Sequence, residues 1–351
     1  MNIKSLLIGS AAALAVVSGA QAADAIVAAE PEPMEYVRVC DAFGTGYFYI
    51  PGTETCLKIS GYVRFQADFR GETDAGLDSG YRTNTRAYLE FDAKSDSELG
   101  TVGAYIAYEA DSRSTDDFAY IDTAIISIGG LEVGHFYNDW DNGLSGETDM
   151  FDDGPLSSVA GGVAYIGGNT LNDGIRYTYS SDAFLVSGSL HYFDEETGWK
   201  TDGADDLGIE GKVGATFGGV SITVNGSYDF GFEEGAVRAI LTADLGPGAF
   251  ALAGVWSSGA SRYWDFSEWS VAAEYKIAVT EKFSITPGAQ YWGSVFYDAD
   301  GDYFGGDAWR VGLTADYKIT DGLTSKLSLQ YTDVDDVDSN WTGFVRLQRS
   351  F

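Results

Sequence analysis

Hydrophobic and polar residues take turns along most of this chain. From residue 57 to 70, fourteen positions alternate. Leu57, Ile59, Gly61, Val63, Phe65, Ala67 and Phe69 fall on one side, and Lys58, Ser60, Tyr62, Arg64, Gln66, Asp68 and Arg70 on the other. A period of two belongs to a strand whose faces meet different surroundings, whereas a helix repeats near 3.6. The run is long beside the about five or six residues common in soluble sheets. It exceeds the roughly 9–11 that a tilted strand needs to cross a bilayer.

The pattern returns at 82–94, 101–111, 207–217, 220–229, 237–245, 269–277, 283–295, 309–319, 323–331 and 341–351. It returns less regularly at 119–128, 131–138, 175–180, 184–193 and 249–256. Sixteen strands are therefore expected. Their connections alternate too. Short ones, such as Gly129-Gly130, Gly218-Gly219 and 320–322, lie between longer acidic ones at 71–80, 194–205, 257–267, 298–306 and 334–340. Short turns at one end and long loops at the other mark a transmembrane barrel, and an even strand number closes it without free edges. Aromatics near strand ends, among them Phe69, Tyr108, Trp256, Trp269, Tyr275, Phe283, Trp309, Tyr317, Tyr331 and Trp341, fit interfacial girdles.

A soluble exported sandwich also alternates, but it buries its apolar face in a dry core. Here the other face carries charges on many strands. A closed barrel of 16–18 strands is too wide for side chains to fill and leaves a water-filled channel. The expected fold is therefore an all-β, 16-stranded antiparallel transmembrane β-barrel. No later apolar stretch approaches the about 20 residues of a membrane helix. The mean hydropathy of −0.09 fits, because alternation hides a strand's hydrophobicity from a window average.

The first residues have the form of a secretory signal: Lys4, an apolar run from Leu6 to Val17, and Ala20-Gln21-Ala22 as the cleavage site. Three divisions are expected: a signal peptide at 1–22, an N-terminal segment at 23–56, and the barrel at 57–351. The formal charge of −32 becomes −33 once Lys4 is removed. Such acidity disfavours a nucleic-acid partner, and 14% aromatic residues argue against a disordered acidic chain. Two cysteines, Cys40 and Cys56, in an exported protein most simply form a disulfide, with a metal site as the alternative. Enzyme motifs such as G-x-S-x-G, H-E-x-x-H and the P-loop are absent from the sequence. His135 and His191 are the only imidazoles, and an inert position is the simpler reading of His135. Asp298-Ala-Asp300-Gly301-Asp302 has a faint calcium-loop look without the downstream Glu. Neither catalysis, a cofactor nor a resident metal is expected.

Around the cysteines the chain resembles a known family. Val39-Cys40-Asp41-Ala42-Phe43-Gly44, then Gly46-Tyr47-Phe48-Tyr49-Ile50-Pro51-Gly52-Thr53, then Thr55-Cys56-Leu57-Lys58-Ile59-Ser60-Gly61 is similar to the signature of alphaproteobacterial outer-membrane porins. The likeness extends over 119–136 and the last strand. It implies a homotrimer in the outer membrane, a third external loop folded into the lumen, and passive passage of ions and small polar solutes. It also implies a terminal aromatic, Phe351, read by the barrel-assembly machinery. Acidic loops sharing divalent cations with lipopolysaccharide are a further expectation.

By counting, the third external loop is 139–173, the longest connection. It carries Asp139, Asp141, Glu147, Asp149, Asp152 and Asp153. By parity Arg64, Arg70, Arg82, Arg86 and Arg346 point inward from the first, second and last strands, which are neighbours in a closed barrel. Facing the acidic loop, they would set a transverse field at the constriction. Overall acidity predicts a preference for cations. The alternative is a substrate-selective channel of the same fold, guided by inward Tyr62, Tyr88, Tyr105, Tyr120 and Trp292.

Overall fold

A computed structural model describes residues 37–74, 78–113, 119–144, 146, 154–160, 170–193 and 206–351. The expected signal peptide, 1–22, and residues 23–36 lie outside it. After β1 (Phe48–Tyr49) come β2 (Cys56–Arg70), β3 (Gly80–Ser97), β4 (Gly100–Asp111), β5 (Ala119–Ile128) and β6 (Leu131–Tyr137). Next are β7 (Leu171–Ser180), β8 (Phe184–Tyr192), β9 (Leu207–Phe217), β10 (Val220–Asp229), β11 (Glu234–Leu245) and β12 (Gly248–Ser257). The series ends with β13 (Trp269–Ala278), β14 (Phe283–Tyr297), β15 (Tyr303–Thr320), β16 (Leu323–Val334) and β17 (Asp338–Ser350). A short helix, α1 (Pro155–Ala160), interrupts the connection after β6.

Strands β2 to β17 each pair antiparallel with the next, and β17 returns to β2 through the register Thr342↔Arg70 to Ser350↔Tyr62. These are the sixteen strands expected, closed as expected. The seam is finished by Phe351, whose amide donates to the Gly61 carbonyl at 3.0 Å while the Gly61 amide donates back at 3.2 Å. Gly61 is required there, because a Cβ would stand 2.2 Å from the Tyr88 carbonyl oxygen and 3.2 Å from the Phe351 ring. Gly129 and Gly218, at φ 56° and 61°, make two of the short turns, where a side chain would be strained.

The barrel is inside-out relative to a soluble protein. Its outward positions are apolar and exposed, as at Val63 (49%), Val213 (52%) and Leu313 (46%), while Glu210, Arg238, Gln290 and Arg310 are buried within. At the long-connection end, Trp269 stacks on Tyr291, and Trp309, Tyr331 and Trp341 follow at centroid spacings of 5.3 and 5.0 Å. This is an outward aromatic belt of the kind that sits at a membrane interface.

Cys40 and Cys56 are bonded, with Cα atoms 5.9 Å apart. The bridge holds β1 against the foot of β2. It also aims Tyr47 at the inner wall, where its phenol donates to Asp92 at 2.5 Å and accepts from Lys94 at 3.0 Å. Residues 39–56 thus dock on β3 near the short-turn end. Burial and the Asp92 bond push the Tyr47 phenol above its ordinary range.

Candidate functional site

The functional surface of such a barrel is its inner wall. On β2, β3 and β17 the alternation turns Arg64, Arg82, Arg86 and Arg346 into one recess of about 470 Å³, with Gln66, Asp68, Asn84, Asp111 and Arg113. Parity thus placed the four arginines together. Their partners differ. Arg86 bridges Glu109 at 2.7 Å and Asp111 at 2.8 Å, and Arg82 reaches Asp68 at 3.3 Å. Arg64 instead donates to Gln348 at 2.8 Å and Arg346 to Gln66 at 2.6 Å. The Gln348 amide holds the Arg64 guanidinium in place without cancelling its charge. Arg70 donates to the Asp78 carbonyl in the first long connection and is not among the residues lining the recess.

Beside the arginines runs a band of phenols and carboxylates. Tyr62 stacks on Tyr88 at 5.1 Å. Tyr105 donates to Glu90 at 2.5 Å, Tyr120 to Glu109 at 2.6 Å, and Tyr88 and Tyr137 both to Asp122 at 2.7 and 2.6 Å. The tyrosines expected to point inward therefore lie side by side across β2 to β5. Trp292 does not join them, because it is fully buried on β14 under other side chains.

The connection after β6 spans 138–170, three residues shorter at its end than expected, because β7 already starts at Leu171. Its described parts lie against the inner wall. Asp139 is buried and pairs with Lys212 of β9. Its carbonyl accepts from Arg238 of β11, as does the Trp140 carbonyl at 3.1 Å. Gly146 donates to Glu274 of β13 at 2.6 Å. Further along, α1 packs on β15, β16 and β17, and the Val159 carbonyl accepts from Thr73. Asp139 thus sits about half-way round the barrel from the arginine recess and is neutralised by lysine. Asp141 accepts from Thr170 at 3.3 Å. Glu147, Asp149, Asp152 and Asp153 lie outside the described residues.

Three features escaped the sequence. The first is the connection 258–268. It was expected, as 257–267, to be one of the longer acidic loops, yet Ala260, Ser261, Asp265 and Ser267 are fully buried, as is nearly all of Arg262, Tyr263 and Trp264. The second is the partner set Lys212, Glu210 and Arg238 around Asp139. The third is the face taken by His135, for which only an inert position was expected. His135 faces outward, sharing a face with Val133 by register, and its Nδ1 lies 2.7 Å from Asp173. It therefore plays no part in the lumen. Asp298 accepts from the amides of Asp300 and Asp302 at 2.9 and 3.1 Å, so its carboxylate ties up its own turn.

The profile of a family described as "Porin subfamily" matches residues 24–348. The chain belongs to this porin family. "Putative outer membrane protein y4fJ" of Sinorhizobium fredii is 48% identical over 366 residues, covering 100% of this chain and 99% of the relative. "Porin Omp2a" of Brucella suis is 34% identical, with both chains covered completely. Among solved structures, the outer membrane channel DcaP of Acinetobacter baumannii shares the fold, with a TM-score of 0.66 at 14% identity over 86% of this chain and 99% of that one. The protein is an outer-membrane porin, a channel-forming barrel. Its inner wall is accordingly the surface that solutes meet.

Proposed function

We propose that this porin passes small hydrophilic solutes without specific binding. In this reading the narrowest section lies between the basic wall of Arg64, Arg82, Arg86 and Arg346 and the acidic third connection with Asp139, Asp141, Glu147, Asp149, Asp152 and Asp153. The observation that carries it is the gathering of four arginines in one luminal recess. Opposed charges on low-dielectric walls orient the dipole of a polar solute and its water. An apolar solute must displace that water and gains nothing in return. Carboxylates outnumber cations along β2 to β5, so a mild preference for cations is proposed. The test is the reversal potential in planar bilayers. Neutralising Asp149, Asp152 and Asp153 together should move it toward anions, and an unchanged potential removes those three residues from the constriction.

A homotrimer fits the outer surface. Strand β6 has 7 residues, fewer than the about 9–11 that cross a bilayer, and the His135–Asp173 pair sits beside it on the outside. A short wall carrying a polar pair is poorly matched to lipid, and a neighbouring copy would cover it. Cleavage after Ala22, delivery by the barrel-assembly machinery through Phe351, and contact of the acidic loops with lipopolysaccharide complete the proposal.

The second reading, a substrate-selective channel, is favoured by the tyrosine band. Tyrosine faces beside carboxylates suit a polyhydroxylated ring. Flux that saturates with one sugar would support this reading, whereas dependence on size alone supports the first.

A further inference from the structure

The connection 258–268 does not serve as an ordinary surface loop. It turns back through the mutual hydrogen bonds of Ser261 and Trp264 at 2.9 and 3.2 Å. The Arg262 guanidinium meets Asp229, at the end of β10, through two nitrogens at 2.9 and 2.6 Å, and the Arg262 amide adds a third bond at 3.0 Å. Arg262 also lies 4.3 Å over the Phe193 ring. Both members of the ion pair are buried. A charge pair out of water holds one geometry, because loosening either partner strands the other. Tyr263 reaches the inner wall at His191 with 3.0 Å between Oη and Nδ1. Burial raises its phenol above the ordinary range, so it stays neutral.

Trp264 then meets Trp140, at the root of the third connection, at 5.8 Å between ring centres. Under them the wall is paved with small apolar residues: Ala236, Ala253, Val255, Ala272 and Ala308, all buried in one cluster with both loops. A wall facing water has no need of buried alanines there. A wall covered by bulky loop side chains does, since large residues would collide.

We infer that the connection 258–268 is a second narrowing element of the channel. Together with the root of the third connection it fills the long-loop mouth over β8 to β16 and confines permeation to the side bounded by β17 and β2 to β6. The arginines and the tyrosine–carboxylate band lie on that side. The inference rests on the channel reading and assigns its path.

Sixteen strands about 4.8 Å apart and tilted about 40° close on a backbone radius of about 16 Å. Side chains reaching in by half the ~10 Å sheet spacing leave an opening of roughly 380 Å². A loop layer about 10 Å wide reaching about 12 Å inward covers roughly a third of it. Replacing residues 259–266 by two glycines should therefore raise single-channel conductance about 1.5-fold. It should also admit larger sugars in liposome swelling. Trp264→Ala keeps the loop but removes its seat on Trp140, and should raise conductance less while adding open-channel noise. Heat-modifiable electrophoretic mobility checks that each variant has closed its barrel. Wild-type conductance in a closed loop-deleted barrel would overturn the inference. If that variant does not fold, wild-type conductance and noise in Trp264→Ala would overturn it. An unaltered protein that conducts nothing would defeat the channel reading itself, which separates the two failures.

Discussion

The inside-out arrangement makes opposite demands on two paired strands. Val213 of β9 is 52% exposed on the outer face and pairs with Val186 on one side and Val224 on the other, an apolar row round the barrel. Val213 lies five residues before Gly218 in the short turn. At about 3.4 Å per residue and a tilt of about 40°, that is roughly 13 Å along the normal, half of the ~25 Å apolar band. Val213→Arg therefore puts a charge near the bilayer midplane and should cost about 2–4 kcal/mol, roughly a 30- to 700-fold loss in the folding constant. Thr223, on the adjoining strand β10, faces a second luminal recess, beside Lys212 and Asn225. Thr223→Arg should cost under about 1 kcal/mol, as a substitution on a wet wall. Guanidinium unfolding in phospholipid vesicles, followed by tryptophan fluorescence, measures both. Equal losses for the two, or a larger loss for Thr223→Arg, would refute the assignment of faces.

Other expectations follow from named contacts. Arg86→Gln should leave Glu109 and Asp111 uncompensated in the lumen and shift the reversal potential further toward cations; a shift toward anions would mean that Arg86 repels nothing that passes. Asp229→Ala removes the closer carboxylate partner of Arg262, leaving the longer contact with Asp206 at 3.4 Å, and should cost about 3 kcal/mol, seen in the same unfolding assay, with Asp229→Ala/Arg262→Met recovering part of it. Cys40→Ser/Cys56→Ser should free the N-terminal segment, about 3 kcal/mol in the chain-entropy model for a loop of this size. Rapid proteolysis ahead of β2 with unchanged conductance is the expected outcome. Lys212→Met should loosen the root of the third connection by stranding Asp139, and single-channel noise should rise.

Most of the barrel was legible because lipid and water impose alternation directly. The strands at 119–128, 207–217 and 220–229 match their sequence ranges at both ends, since each is bounded by glycines or by a polar run. The arginine recess was legible for the same reason: parity fixes the face, and closure makes the first and last strands neighbours. The limits came where a residue's surroundings belong to another part of the chain. The segment 257–267 reads as one of the longer acidic connections, and nothing local says that Arg262 will find Asp229. The signal was present but indirect, in the alanines at inward positions 236, 253, 272 and 308, where a solvated wall would carry polar groups. Trp292 shows the converse. Parity turned it inward correctly, but facing inward is not the same as facing water when a loop lies between. Asp139 was grouped with the acidic loop by sequence proximity, although Lys212 and Arg238, which hold it, lie over seventy residues away.

For solutes to cross, water must fill the part of the barrel that the loops leave open. The most direct test is swelling of liposomes containing the purified, heat-modifiable protein in isosmotic sugars of increasing size. Swelling should be fast with the smallest sugars and fall steadily as they grow. Vesicles that stay as tight as protein-free ones, with the barrel verified as folded, would contradict the account.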